Sequence, residues 1–182
     1  MSMEMKEQSD DFLALSLKSG NWEAAEVLMG KYKDGLFGFI CRMTADYHLA
    51  EDLFQETWLK VMEKIDRYNP RYPFRIWVFA IARNLCLDSL RKAKSRKAKE
   101  LWKKETFETY NDSEAEKEKL RRVLFKISPK LREVVILRFY HQHELKEISD
   151  IPGVSMGTVK SRLSRGIHSA KKLWSKEAFD ET

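Results

Sequence analysis

The chain of 182 residues is poor in cysteine, proline and glycine, and it contains no long apolar run. Its two cysteines, Cys41 and Cys86, lie far apart and outside any CxxC or Cys/His pattern, which argues against a disulfide framework and against a zinc site. No apolar stretch approaches the roughly 20 residues of a membrane span. The acidic, polar N-terminus also lacks the pattern of a signal peptide. We therefore expect buried thiols in a reducing compartment, no direct membrane insertion and a cytoplasmic location.

Groups that could form a catalytic centre are also scarce. The four histidines are scattered along the chain, and no Ser/His/Asp arrangement, glycine-rich phosphate loop or cluster of metal ligands accompanies them. His141 and His143 are spaced too closely to share a helical face, and we expect both in an exposed loop. An enzyme acting on nucleic acid is therefore the least favoured alternative, and we expect no catalytic residue, no cofactor and no metal.

Helical periodicity is abundant. Proline occurs at only four positions, and almost no segment shows the alternation of a half-buried strand. Residues 101–118 are polar and acidic without sustained apolar periodicity, which is typical of a linker. The pattern predicts an all-α fold in which two small helical domains, residues 1–100 and 119–182, are joined by this flexible acidic linker. Glycines are expected to interrupt the second of the predicted helices, which span residues 10–19, 21–45, 49–67, 74–100, 114–127, 129–141, 144–150 and 155–176.

Charge is segregated along the chain, although the net charge is only +6. Residues 1–69 carry 8 basic and 13 acidic side chains, whereas residues 70–104 carry 11 basic and 2 acidic ones. Residues 105–118 are acidic again, with 1 basic and 6 acidic side chains, and residues 119–182 are basic, with 14 and 7. Two basic blocks can therefore contact a polyanion at separate places, while the acidic N-terminal block suits a basic protein surface.

Residues 50–65 form an amphipathic pattern with two distinct faces. Apolar residues recur every three or four positions and predict one buried stripe. Such a pattern leaves the opposite face for solvent or for a partner. Here that face is acidic around an apolar spot, and it comprises Asp52, Gln55, Glu56, Leu59 and Glu63. It is either merely solvated or a docking surface for a basic helix of another protein, and the helix alone leaves both interpretations open.

A basic helix follows at residues 74–99. Its expected core residues are Trp77, Ala80, Ile81, Leu85 and Leu90. Its charged and amide groups suit phosphates and unstacked bases, and they are Arg75, Arg83, Asn84, Asp88, Arg91, Lys92, Lys94 and Arg96. Nearby aromatic rings can stack on a base, although we expect most of them in the core; they are Tyr68, Tyr72, Phe74 and Phe79. Asn84 is the strongest candidate for a base contact, because an amide among apolar neighbours requires a partner.

Residues 144–173 have the pattern of a helix-turn-helix. Pro152 and Gly153 mark a sharp turn, and Ser155 is a suitable N-cap for the helix that follows. The predicted buried stripe of that helix is Val159, Leu163, Ile167 and Ala170. The side chains expected to face outward are donors for phosphates and base edges, and they are Thr158, Lys160, Ser161, Arg162, Ser164 and Arg165. A surface helix that is basic by chance is the plainer alternative.

Taken together, these segments resemble a bacterial sigma factor of the sigma-70 family. More narrowly, they resemble the small extracytoplasmic-function group, which keeps only the second and fourth sigma domains. The most specific motifs are ARNLCLDSLR at 82–91 and GTVKSRLSRG at 157–166. The resemblance implies an alternative sigma factor that binds core RNA polymerase, recognises the −10 and −35 promoter elements and promotes strand opening. It also implies contacts with the clamp helices of the largest polymerase subunit and with the flap, and regulation by an anti-sigma factor that is often anchored in the membrane.

The resemblance assigns expected roles to three groups of residues. The polymerase-binding group is Asp52, Gln55, Glu56 and Leu59. The −10 group is Arg75, Arg83, Asn84, Asp88, Arg91 and Lys92. The −35 group is Ser155, Thr158, Lys160, Ser161, Arg162, Ser164 and Arg165. Within this last group, Lys160 and Arg165 are expected to contact base edges, whereas Thr158 and Arg162 are expected to hold phosphates.

A repressor or activator that uses the helix-turn-helix without polymerase is the main alternative. Such proteins commonly dimerise on two half-sites, and the sequence shows no heptad seam for a dimer and no ligand domain. A requirement for core polymerase in DNA binding distinguishes a sigma factor from such a regulator.

Overall fold

The computed structural model describes residues 7–97 and 112–180, with side chains for all of these except residues 94–97, 112–115, 117 and 177–180. Within this part of the chain the regular elements are helices, and none of them is both long and apolar enough to cross a membrane. The elements are α1 (Asp10–Lys18), α2 (Glu23–Thr44), α3 (Tyr47–Lys64), a 3-10 turn (Ile65–Arg67), α4 (Phe74–Lys97), α5 (Asp112–Lys126), α6 (Pro129–Phe139), α7 (Leu145–Asp150) and α8 (Met156–Asp180).

The predicted all-α class is confirmed, and the predicted helices agree with these bounds to within a few residues. The expected interruption of the second helix is wrong. α2 continues without a break through Gly30, Gly35 and Gly38. A glycine inside a helix costs about 1 kcal/mol relative to alanine, and the long apolar face that α2 buries offsets this cost.

The predicted linker falls mainly on residues outside the structural description. Residues 98–111 are not described, and α5 begins at Asp112, inside the predicted linker at 101–118. The boundaries of the two predicted domains, 1–100 and 119–182, therefore stay predictions.

A single apolar core extends from the N-terminal helices into the C-terminal ones. Leu36, Phe39 and Phe74, from α2 and α4, belong to the same buried cluster as Ile136 of α6 and Ile148 of α7. A smaller apolar cluster joins α5, α6 and α8. Because burial of apolar surface is the main favourable contribution to folding, the two halves stabilise each other in this arrangement.

Helix α6 belongs to the C-terminal half, and it packs both against α2 of the N-terminal half and against α8. Near its start, the buried guanidinium of Arg132 donates hydrogen bonds to the carbonyl oxygens of Met43, Phe125 and Ile127. These carbonyls lie near the C-terminal ends of α2 and α5, where intrahelical donors run out. Burial lowers the pKa of Arg132 to about 10. One arginine therefore satisfies backbone acceptors from both halves of the chain.

Candidate nucleic-acid and protein interfaces

The acidic face predicted on α3 is exposed. The side chain of Asp46 caps the helix by accepting a backbone N–H, and most of the predicted apolar stripe is buried, with Phe54 and Met62 half-buried. The buried residues of α3 are Ala50, Leu53, Thr57, Trp58 and Val61. On the opposite side all four members of the polymerase-binding group are exposed, and Leu59 is 68% exposed. Large apolar side chains at such exposure among carboxylates and amides are typical of a surface that a partner covers.

Four members of the −10 group are accessible along one side of α4. Asn84 is exposed, and its Oδ1 accepts a hydrogen bond from Nη1 of Arg83 at 2.9 Å. Asp88 and Arg91 form an exposed ion pair of 3.0 Å. Lys92, one turn beyond Asp88, is exposed as well. These groups can exchange their present contacts for contacts with a nucleic acid at small cost, because exposed ion pairs contribute little to stability.

The other two members, Arg75 and Arg83, are held by carboxylates of the C-terminal half. Nε of Arg83 donates to Oε2 of Glu133 at 2.8 Å, and the Arg83 side chain is only 14% exposed. Nη2 of Arg75 donates to Oε1 of Glu147. Sequence reasoning missed both partners, because they lie 50 and 72 residues away in the chain.

The aromatic residues around the start of α4 are mostly core, as expected. Tyr68, Phe74 and Phe79 are buried, whereas Tyr72 is 56% exposed. The hydroxyl of Tyr68 donates to Oδ1 of Asp11 at 2.6 Å, and the backbone N–H of Phe74 donates to the same oxygen at 2.7 Å. Burial, together with the bond to Asp11, raises the pKa of Tyr68. Asp11, which sequence reasoning did not single out, therefore ties α1 to the beginning of α4.

The predicted core side of α4 was only partly correct. All of the expected core residues are half-buried, and they are Trp77, Ala80, Ile81, Leu85 and Leu90. The most deeply buried side chains of this helix are Phe74, Ile76, Val78, Phe79, Ala82 and Cys86. Helix α4 packs against α1, α2 and α3, so its apolar surface extends around much of the helix and a single stripe does not describe it.

The helix-turn-helix forms as the sequence predicts. Gly153 adopts a φ of +64°, which glycine reaches without strain, and the N–H of Val154 donates to the carbonyl of Ser149 at 3.0 Å. The Ser155 Oγ accepts the backbone N–H of Thr158 at 3.2 Å and so caps α8. The conformation of Gly153 and these two hydrogen bonds fix the angle at which α8 leaves the turn.

Most of the −35 group faces solvent from the first half of α8. The exposed members are Ser155, Lys160, Ser161, Ser164 and Arg165, and Thr158 is half-buried. Arg162 differs from the expectation that it faces outward. Its side chain is 15% exposed, and its Nη1 donates to Oε1 of Glu133 at 3.2 Å. The buried carboxylate on α6 turns Arg162 toward the protein, whereas Ser161 and Arg165 stay in solvent.

Gly166 ends the GTVKSRLSRG motif and permits a close approach between α8 and α6. A Cβ atom at this position would lie 2.7 Å from Cγ2 of Val135 and 3.3 Å from the carbonyl oxygen of Leu131. The sequence alone does not indicate a role for this glycine. The close approach fixes the distance between α8 and α6, and with it the position of the outward face of α8.

The expectation that His141 and His143 are exposed is wrong. His143 is 1% exposed, and His141 is partly buried against the rings of Phe39 and Phe79. Burial lowers the pKa of both imidazoles, that of His141 to about 4. The segment after α6 therefore contributes two uncharged imidazole rings to the apolar interface between the N-terminal and the C-terminal helices.

The cysteines follow the expectation only in part. Both are free thiols, but Cys86 is buried whereas Cys41 is half-buried. Burial raises the pKa of Cys41, and it raises that of Cys86 to about 12. Among the described residues, no cluster of three or more histidines, cysteines and carboxylates could hold a metal ion.

Comparisons with known proteins match two parts of the chain, one in the N-terminal half and one in the C-terminal half. The family model described as Sigma-70 region 2 matches residues 28–96, and the one described as Sigma-70, region 4 matches residues 117–167. The ECF RNA polymerase sigma factor SigM of Bacillus subtilis (strain 168) is 31% identical over 159 residues, which cover 82% of this chain and 94% of SigM. The ECF RNA polymerase sigma factor SigW of the same organism is 28% identical over 171 residues, which cover 86% of this chain and 91% of SigW.

A solved structure has a similar fold. The structure of CnrH in complex with the cytosolic domain of CnrY matches with a TM-score of 0.74 at 22% sequence identity, and the match covers 93% of this chain and 99% of that chain. At this identity the likeness concerns the fold alone.

Proposed function

Because this chain belongs to the extracytoplasmic-function (ECF) sigma factors of the sigma-70 family, which direct RNA polymerase to promoters, we propose that three of its surfaces divide that task. The exposed face of α3 binds core polymerase, α4 captures the −10 element, and α7 with α8 reads the −35 element. The work is recognition and strand capture, and no covalent bond forms or breaks.

The polymerase-binding surface consists of Asp52, Gln55, Glu56 and Leu59. The single observation that carries this assignment is the exposure of Leu59. Its side chain is 68% exposed, and exposed carboxylate and amide side chains surround it on the same face. Burying a leucine side chain in a complex contributes about 1.5–3 kcal/mol. The carboxylates select a basic partner and orient it. The clamp helices of the largest polymerase subunit are the partner that the family implies.

The −10 surface is built around Asn84. Extracting a base from a duplex costs a few kcal/mol of free energy. Polar contacts to the base and contacts to the phosphates must therefore contribute a comparable stabilisation. The exposed amide of Asn84 can read a base edge, and Asp88, Arg91 and Lys92 lie beside it on the same helix. The two arginines held by Glu133 and Glu147, Arg75 and Arg83, join this surface once those carboxylates are displaced.

The −35 surface is the outward side of α8 with its N-cap. Lys160 and Arg165 are exposed and contact base edges in the major groove. Thr158 holds a phosphate, and the three serines of the group line the same side. Arg162 can hold a phosphate only after its guanidinium leaves Glu133. A good bidentate contact to a base discriminates by about 1–3 kcal/mol, which sets the scale for a change at Lys160 or Arg165.

The family likeness suggests how the rest of the chain takes part. Residues 1–100 carry polymerase docking and −10 capture, residues 119–182 carry −35 recognition and contact the flap, and residues 101–118 connect them. An anti-sigma factor, commonly anchored in the membrane, is the expected regulator. The cytoplasm, where RNA polymerase works, is the expected location.

Transcription in vitro tests the proposal. The purified full chain is mixed with core polymerase and a library of promoter fragments, and start sites are mapped. We expect specific initiation that depends on the chain and falls at least about tenfold in the double variant Asp52→Ala/Gln55→Ala, since truncation of the few residues that dominate an interface costs about 2 kcal/mol or more each. The matched control is Asp34→Ala, an exposed carboxylate on α2, which should initiate like the unmodified chain. Stable DNA binding without polymerase, and without initiation, would favour the stand-alone regulator.

A further inference from the structure

Helix α8 continues well beyond the segment that the region 4 family model matches. The match ends at residue 167, whereas α8 runs as one helix from Met156 to Asp180. At a rise of about 1.5 Å per residue, the unmatched part adds about 20 Å of helix. We call residues 168–176 the α8 extension.

The α8 extension belongs to a run of the helix without carboxylates. Residues 156–176 carry six basic side chains and no acidic one. On a solvent-facing helix a lysine commonly pairs with a carboxylate three or four positions away. At those distances from Lys172 lie two serines, His168 and Lys176. Because two lysines four positions apart repel each other, this pattern destabilises the helix slightly in the free protein.

The position of the lysines within α8 does not explain them either. The dipole of a helix stabilises cations only near its C-terminal turn. Lys171 and Lys172 lie about two turns or more before Asp180, where α8 ends. A partner that carries negative charge accounts for both lysines.

The α8 extension presents these lysines on the same side of the helix as the proposed −35 surface. Successive residues of a helix are about 100° apart, so Lys171 lies about 20° around the axis from Lys160, and Lys172 lies about 20° from Arg165. Lys171, Lys172 and His168 are exposed. The outward face of α8 therefore continues, as a basic face, for about 16 Å beyond Lys160.

The opposite side of the α8 extension is anchored to α5. Ala170 and Leu173 pack on the apolar cluster that contains Leu124 of α5. The ammonium group of Lys119 lies 5.0 Å from the ring centroid of Trp174. These contacts fix the rotation of α8 about its own axis, so the exposed lysines stay on the side of the −35 group.

A straight helix of this length extends past the base pairs that its first half reads. The major groove is about 12 Å wide and curves around the duplex. Side chains about 16 Å beyond Lys160 therefore meet the sugar–phosphate backbone next to those base pairs. The flexible lysine side chain carries a compact charge that suits a phosphate.

We propose that Lys171 and Lys172 bind backbone phosphates of the DNA that flanks the −35 element, and so extend the surface that α8 presents to the promoter. The inference rests on the proposed role of α8 in reading that element. The two lysines supply affinity without sequence information, whereas Lys160 and Arg165 discriminate between bases. Each phosphate contact releases counter-ions, so the contribution of the lysines grows as the salt concentration falls.

The test measures how salt affects promoter binding by the full chain in complex with core polymerase. Fluorescence anisotropy follows a labelled duplex promoter, chosen from the mapped start sites, between about 50 and 200 mM salt. Lys171→Gln/Lys172→Gln removes both charges. We expect the slope of log affinity against log salt to decrease by about 1.8, or about 0.9 for each phosphate contact. The loss of affinity should therefore be about tenfold larger at 50 mM than at 200 mM salt.

Two controls accompany this variant. Lys171→Arg/Lys172→Arg keeps both charges at the same positions and should keep the slope of the unmodified chain. Lys33→Gln removes an exposed lysine of α2 and controls for the lower net charge, and it should also leave the slope unchanged. An unchanged slope in Lys171→Gln/Lys172→Gln, or an equal change per charge in Lys33→Gln, would overturn the inference.

Ethylation interference locates the phosphates. With the unmodified chain we expect ethylation to weaken binding at phosphates within the −35 element and at phosphates that flank it. Only the flanking phosphates should lose their effect in Lys171→Gln/Lys172→Gln. If that variant instead bound core polymerase more weakly and kept the same interference pattern, the inference would be wrong and the partner of the α8 extension would be an acidic protein surface.

The same maps separate this inference from the proposed function. A complete lack of interference within the −35 element would refute the proposed role of α8 in reading it. Normal interference within the element, with none at the flanking phosphates, would refute the role of Lys171 and Lys172 alone.

Discussion

The imidazole of His141 packs edge-on against the ring of Phe79, with the ring centroids 5.2 Å apart. His143 approaches the same ring at 5.1 Å. Both histidines thus lie in the apolar interface between α4 and the segment that follows α6. Their protonation would place positive charge among rings, beside Arg42 near His141 and Arg75 near His143. Only Glu147, next to His143, favours the charged form there.

We expect mild acid to destabilise the protein through these two imidazoles. Since burial lowers the pKa of His141 to about 4, the unfolded chain binds protons below its ordinary pKa of about 6.5, whereas the folded chain does not bind them until lower pH. The free energy of unfolding therefore falls as the pH decreases from about 6.5 toward 4. Urea unfolding should show a loss of about 1–2 kcal/mol between roughly pH 6.5 and pH 5.

Two variants separate this effect from other titrating groups. His141→Gln cannot take up the proton and should flatten the dependence of unfolding free energy on pH. His48→Gln is the matched control, because the His48 side chain is 82% exposed, and it should keep the slope of the unmodified chain. An identical slope in all three proteins would contradict a contribution from His141.

The two thiols should differ in reactivity. The reactive species is the thiolate, and burial raises the pKa of Cys86 to about 12 and also raises that of Cys41. Cys86 is in addition fully covered, whereas Cys41 is half-buried. We expect iodoacetamide to label Cys41 slowly in the native protein and Cys86 only after unfolding in urea. Mass spectrometry counts the labels.

Serine variants identify the labelled site. Cys41→Ser should show almost no labelling under native conditions, and Cys86→Ser should be labelled like the unmodified chain. Rapid native labelling in Cys41→Ser would mean that α4 leaves the core readily.

A methyl group at Gly166 should destabilise the C-terminal half. Its Cβ would meet Cγ2 of Val135 at 2.7 Å, and valine has few rotamers with which to move away. Overpacking of this kind costs about 1–3 kcal/mol. Gly166→Ala should therefore lower the thermal midpoint, whereas Gly30→Ala, a helical glycine with open space around it, should raise stability by up to about 1 kcal/mol. Equal effects of the two changes would contradict the close approach of α8 to α6.

The features that the sequence could predict are those with a local physical cause. Apolar spacing located the helices of residues 7–97 and 112–180, because the spacing of three and four positions depends only on helix geometry. The turn at Gly153 and the cap at Ser155 could be read for the same reason, since each acts on residues within three positions. Exposure of the acidic face of α3 followed from the buried stripe on its other side.

The features that the sequence could not predict depend on contacts between distant segments. Arg162 and Arg165 are three positions apart, yet Arg162 contacts a buried carboxylate and Arg165 stays in solvent. Nothing in the spacing of charges marks Glu133, 29 residues from Arg162 and 50 from Arg83, as the shared partner. His143 was misplaced for a related reason: a short polar segment is expected in solvent unless a second half of the protein covers it.

Loss of the amide at Asn84 should impair strand opening more than promoter binding. In the proposed function the exposed amide contacts a base that has left the duplex, so its contribution arises only after melting. With core polymerase, Asn84→Ala should bind the duplex promoter as before but initiate at least about tenfold more slowly, since a hydrogen bond to a base is worth on the order of 1–3 kcal/mol. Permanganate reactivity of unpaired thymines measures opening directly and should fall with the rate of initiation.

A promoter that is already unpaired across the −10 element provides the control. On that template opening no longer limits initiation, so the initiation defect of Asn84→Ala should shrink and the lost base contact should appear as weaker binding to the unpaired template. Lys160→Ala should show the opposite pattern, with weaker duplex binding on both templates, because α8 is proposed to read the −35 element while it is still paired. If Asn84→Ala instead weakened duplex binding as Lys160→Ala does, Asn84 would act in docking or folding, and the captured base would have to be read by another group on α4.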